Sequence, residues 1–176
     1  MARRFGARVE WLPFDLHPEY PAEGILRSRL AERYGEGFEE RTREVIEAAG
    51  FAYDPPARIP SSRKALAVTE LARDRDRHDA VHARIMRAYW SERADIGDDG
   101  VVLDLATEAG LDEAEARAAL RDDGYVERVL ESTREANRHG INAIPAFVLD
   151  HRLLVLGAHP HATFEHAFEL LEQRRG

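Results

Sequence analysis

Strand-forming ends around a long helical middle make this sequence an α/β protein, and three patterns predict that class. In "ARVEWLPFDL" Val9 and Trp11 alternate with Arg8 and Glu10, which reads as a short strand at about residues 8–12. From Leu26 to Asn137 apolar residues recur at helical spacing. "PAFVL" and "LLVL", at 145–149 and 153–156, are short apolar runs on either side of Asp150-His151-Arg152, a spacing that suits a tight hairpin.

The elements follow in order. "HPEYPAEG" at 17–24 is a proline-punctuated loop, after which Leu26, Leu30 and Tyr34 mark a first helix that Gly35 can cap. Phe38, Val45, Ile46 and Ala49 share a face of a second, ended by Gly50. "YDPPARIPSS" breaks the pattern, and Ser61 or Ser62 stands where a side chain would cap the helix through Leu66 and Leu71. Val81, Ile85 and Tyr89 mark the next helix. Val102, Leu105, Ala106 and Ala109 mark another, closed by Gly110. Asp112 with Glu115 makes an acidic capping-box variant, and the run Val126, Val129, Leu130, Thr133, Asn137 ends at Gly140. The two late apolar runs are apolar throughout, as strands covered on both faces are. A final helix with Thr163, Phe164, Ala167, Phe168 and Leu171 on one side should pack on that hairpin.

Composition narrows the function classes. The chain has 176 residues, 44% hydrophobic and 33% charged, as expected of one ordinary globular domain with a real core. Its 33 acidic and 25 basic side chains give a net charge of −8, which repels phosphate backbones and anionic lipid, so neither nucleic acid nor membrane is an expected partner. With no spanning segment and no signal-peptide pattern, a cytoplasmic location is expected. There is no cysteine, which excludes disulfides, thiolate metal sites and any thiol chemistry carried by this chain itself.

Four stretches in order carry a resemblance: "VEWLPFDLHPEYPAEG" at 9–24, "AYWSERADIGD" at 88–98, "LATEAGLD" at 105–112 and "GINAIPAFVLDHRLLVLGAHP" at 140–160. Together they resemble the DsbA family of thioredoxin-fold proteins, and more narrowly its FrnE-like branch. The resemblance implies a thioredoxin-like core made by residues 1–23 and 138–176, with a helical insertion lobe at 24–137. It implies a cis-proline at Pro145, with Ala143, Ile144 and Pro145 receiving an extended peptide or thiol substrate. The residues alone leave this open. A proline without an N–H suits the first position of a strand in either isomer, and only about 5–6% of X-Pro bonds are cis.

Family members carry Cys-x-x-Cys at the start of their first helix, where the helix dipole lowers the nucleophile's pKa. Here "ARRFGARVEW" resembles the end of that helix, so the preceding strand and the cysteine pair are expected to be missing. Without that strand the sheet has open edges, and a rearranged three-stranded sheet or a homodimer completing it is expected. The activity class implied is thiol–disulfide exchange without its nucleophile. A glutathione-dependent isomerase resembling 2-hydroxychromene-2-carboxylate isomerase and a non-catalytic peptide-binding or dimerising module are the alternatives. No resident cofactor is implied, and no catalytic residue is assigned.

The remaining candidates read as structural. His78 and His82 stand four apart on a helix, spacing that can hold a metal, but no third ligand is indicated. His159, His161 and His166 gather at the start of the last helix, where a protonated imidazole opposes the helix dipole. Asp98, Asp99, Asp122 and Asp123 read as turn residues, and Ser61, Ser62 and Thr163 lack an activating partner. Trp11 and Trp90, with Tyr89, are expected in the contact between the first strand and the helical lobe.

Overall fold

The computed structural model describes residues 5–173. They form a mostly helical α/β structure with few strands and fall into two compact units. One unit holds the chain up to Leu16 together with Ser132 onward; the other is His17–Glu131.

The His17–Glu131 unit is helical almost throughout. A bridge of two residues on each side, β1 (Ile25–Leu26) against β2 (Arg58–Ile59), ties its first loop to the proline-rich break. Gly24 has φ +72°, and a Cβ there would lie 2.0 Å from the Ile59 carbonyl oxygen, so only glycine admits this close approach. A short 3-10 turn leads into α1 (Leu30–Tyr34), followed by α2 (Phe38–Ala48). Leu26 therefore lies in a bridge and the helix begins only at Leu30. Pairing with Arg58 captured the residues that periodicity assigned to its first turn.

The core of this unit comes from four later helices: α3 (Arg63–Asp74), α4 (His78–Ser91), α5 (Asp99–Glu108) and α6 (Glu113–Ala119). Val68, Leu71, Val81, Ile85, Val102, Leu105 and Ala116 are buried together, supported by alanines that let the helices approach. Asp98 caps α5 by accepting the Val101 N–H, and Asp112 caps α6 by accepting that of Glu115. The reciprocal half of the capping box is not made, because the Glu115 carboxylate pairs with Arg75 instead. Ser62 precedes α3 but is itself helical and makes no side-chain cap, so that expected cap is absent.

A knot of polar groups closes the proline-rich break. The Arg27 guanidinium donates to the Pro56 carbonyl, to Glu39 and to the Tyr89 hydroxyl, and lies 5.5 Å from the Tyr89 ring centre and 5.9 Å from that of Trp90. Tyr53 also donates to Glu39, and burial together with that carboxylate pushes its hydroxyl up to about 12. Tyr89 and Trp90 are thus anchored within the helical unit. Trp11 is 52% exposed and is not a core residue.

Helix α7 (Asp123–Arg138) carries the chain from one unit to the other. In the second unit β3 (Ala146–Leu149) and β4 (Leu153–Leu156) form an antiparallel hairpin, followed by α8 (His161–Gln173). Phe164 of α8 meets Phe147 edge to face at 4.8 Å, and Phe168 stacks on Phe5 at 4.6 Å, so the last helix packs on the hairpin as its apolar side predicts.

Two expectations need correction here. Residues 8–12 form no strand: neither ladder among the described residues includes them, and Val9 and Leu12 stand 61% and 70% exposed. The three-stranded sheet does not form either, since the described strands make two separate two-stranded ladders. Without a third strand the hairpin is covered on one face only. Phe147 and Leu149 are half-buried, while Val148, Leu154 and Leu156 stand exposed.

Candidate substrate ledge

The stretch that enters β3 is built by one glycine and one proline. Gly140, at φ +77°, ends α7, and the Ile141 N–H returns to the Ala136 carbonyl at 2.9 Å, closing the helix end. The next residues run without regular structure through Ala143, Ile144 and Pro145, all three exposed, with Ile144 at 54%. The Ile144–Pro145 peptide bond is cis. At the other end of the hairpin, Asp150 and His151 both take left-handed backbone angles of φ 52°, and the Arg152 N–H donates to the Leu149 carbonyl at 3.0 Å. That pair of angles is what a right-twisted hairpin requires.

Register decides what the ledge can bind. The Gly157 N–H donates to the Pro145 carbonyl at 2.7 Å, which makes these two a hydrogen-bonded pair of the ladder. Pairing alternates along an antiparallel ladder, so Phe147 and Leu149 bond to β4 while Ala146 and Val148 turn their N–H and C=O groups to the outer edge. No described strand occupies that edge. A peptide laid there meets two backbone donors and two acceptors directly after the exposed Ile144 side chain, which is the chemistry of strand addition.

The same unit holds a buried polar anchor that sequence reading did not single out. Thr133 Oγ1 accepts the Asp15 N–H at 2.9 Å, and Ser132 donates to the Pro13 carbonyl at 2.8 Å. Asp15 and Thr133 are both nearly enclosed, at 5% and 6% exposure. The available signal was a hydroxyl, Thr133, on the apolar stripe of a helix.

The histidines gather no metal site. His78 and His82 stack at 5.5 Å, but among the described residues no group of three or more potential ligands comes together. His159 contacts the Leu156 carbonyl at 2.8 Å, and His161 and His166 are exposed. Asp122 accepts the Gly124 N–H and so serves the turn it was read into. Among the described residues no helix is long and apolar enough to cross a membrane.

A hairpin and closing helix, preceded by a large helical unit, make this a mostly helical α/β protein of thioredoxin-like fold. The family model for the DsbA-like thioredoxin domain matches residues 1–169, and the chain belongs to that family. A crystal structure of a probable DsbA oxidoreductase from Streptomyces coelicolor is 30% identical with a TM-score of 0.87, over 99% of this chain and 79% of that one. A second solved structure, from Nitrosomonas europaea, is 17% identical with a TM-score of 0.69, over 89% and 80% of the two chains, a likeness of fold alone. YwbO of Bacillus subtilis is 25% identical over 144 residues, 80% of this chain and 71% of the relative.

Proposed function

We propose that this chain supplies the substrate-positioning part of a DsbA-type thiol–disulfide oxidoreductase, and that an extended peptide docks along the outer edge of β3 at Ala143, Ile144 and Pro145. The observation that carries the reading is the exposed entry to β3, with the outward backbone groups of Ala146 and Val148 beside it. Exchange proceeds through a mixed disulfide and needs a thiolate, and the 176 residues contain no cysteine. The chain as it stands therefore binds but does not turn over. Within the family, the stretches at 9–24, 88–98, 105–112 and 140–160 favour the FrnE-like branch.

Two assays test this. Insulin reduction driven by dithiothreitol should stay at the uncatalysed rate, and acceleration by this chain would refute the inert reading. Reduced, alkylated insulin B chain should bind the protein, and Ile144→Arg should weaken that binding at least tenfold while leaving the melting temperature unchanged. Equal binding by wild type and variant would remove the ledge.

A second reading rests on the exposed Val148, Leu154 and Leu156. An apolar face beside an unpaired edge also suits a second copy of the chain completing the sheet. Sedimentation of wild type against Val148→Lys separates the two, because only the dimer changes mass. The glutathione-dependent isomerase reading would require saturable glutathione binding by this chain.

A further inference from the structure

Far along the sequence from the ledge, the loop before α1 assembles a carboxylate, an imidazole and a phenol. Glu19 Oε1 lies 3.1 Å from His17 Nδ1, and His17 Nε2 lies 2.7 Å from the Tyr34 hydroxyl. A carboxylate on Nδ1 holds the proton there and leaves Nε2 as the acceptor of the phenolic O–H. This is the order in which an oriented base activates a hydroxyl nucleophile.

The surroundings support the same role. Tyr34 stacks on Phe38 at 4.8 Å, which fixes its ring, yet the residue is 37% exposed. The Arg33 guanidinium sits 5.7 Å from the Tyr34 ring centre and donates to the Glu19 carboxylate at 3.1 Å, so it holds both the phenol's ring and the carboxylate in place. His17 is itself held by stacking on Tyr20 at 4.4 Å, and its side chain is only 16% exposed. Tyr20 makes the contrast. Its hydroxyl is enclosed and finds no hydrogen-bond partner among the described residues, so of the two phenols flanking the imidazole only Tyr34 is bonded to it and open.

We propose that Tyr34 is an acyl-acceptor site, activated by His17 and Glu19, for small activated acyl compounds. Tyr34 Oη attacks the acyl carbonyl carbon while His17 Nε2 takes the phenolic proton. Collapse of the tetrahedral adduct breaks the bond from the acyl carbon to the leaving group, which departs with its electron pair and the proton returned by His17. The products are O-acyl Tyr34 and the protonated leaving group, with no change of oxidation state.

The probe is N-acetylimidazole, with acetylation of each tyrosine followed by peptide mass mapping and N-acetyltyrosinamide in the same tube as a free phenol. Positioned proton transfer typically contributes about 10²–10⁴-fold, so Tyr34 should react at least tenfold faster than the free amide. A partly covered phenol can exceed a free one only if it is activated, and a rate equal to or below the reference overturns the proposal without recourse to any variant. His17→Gln should slow Tyr34 at least tenfold and Glu19→Gln several-fold, while Tyr53 and Tyr125 keep their rates. A Tyr34 rate within twofold of wild type in His17→Gln, with Tyr53 and Tyr125 unchanged, also overturns it.

Discussion

Replacing Arg128 by methionine tests how the helical unit tolerates an enclosed carboxylate. The Glu70 side chain is 6% exposed and accepts from Arg128 Nη2 at 3.0 Å and from Arg73 Nε at 3.2 Å. Arg128 also grips both oxygens of Asp74, at 2.7 and 3.1 Å. Methionine keeps most of the stem's packing and removes the charge. Breaking a fully buried pair costs about 3–5 kcal/mol, because a charge is left enclosed. Here Arg128 is 41% exposed and Arg73 remains, so we expect about half of that, ~2 kcal/mol. For a chain of this size that lowers the melting temperature by about 4–8 °C, read by circular dichroism. Glu70→Leu combined with Arg128→Met should recover most of the loss, since an apolar pair of similar volume can replace a buried ion pair at little cost. A single variant within about 0.5 kcal/mol of wild type, or a double variant no better than the single, would refute the reasoning.

Other outcomes follow from the same geometry. Burial, with His78 beside it, holds the His82 imidazole below its ordinary value of 6.5, so the unfolded chain takes up that proton first. Stability should be intact above about pH 6.5 and decline as pH falls below it, and His82→Gln should flatten that limb in pH-dependent melting curves. A hydrogen bond from Arg128 holds Asp74 below the usual carboxylate range, so its contribution is present above the unfolded carboxylate's pKa and lost as acid protonates it; Arg128→Met should weaken this acid limb in the same curves. Gly24→Ala places a Cβ against the Ile59 carbonyl at a left-handed φ and should cost at least about 2 kcal/mol, read by urea denaturation. Asp112→Ala removes the cap on α6 and should cost about 1 kcal/mol in the same assay.

Much of the organisation was legible in order. Gly35, Gly50, Gly110 and Gly140 each adopt positive φ at the helix ends they were read to mark, and Asp112 caps α6 as its position suggests. These signals are local: an αL residue or a cap needs only its own few neighbours. The proline entering β3 was readable through the family resemblance rather than through the residues, which allow either isomer. Residues 8–12 show the limit of pattern. Alternation says that a segment can be a strand, but a strand exists only as part of a ladder, and neither ladder among the described residues includes this one. Trp11, at 52% exposure, is likewise no core residue, because burial depends on how much of a side chain the fold covers and not on its size.

The sequence by itself determined most of the helices, several of their glycine-marked ends and the absence of any thiol, because each follows from composition or from contacts within one or two turns. Only the tertiary structure decided that β3 turns Ala146 and Val148 to an open edge, that Arg128 reaches back to Glu70 and Asp74, and that Glu19, His17 and Tyr34 line up around one imidazole. Register and side-chain convergence depend on where the backbone returns in space. The spacing of residues along the chain does not contain that information.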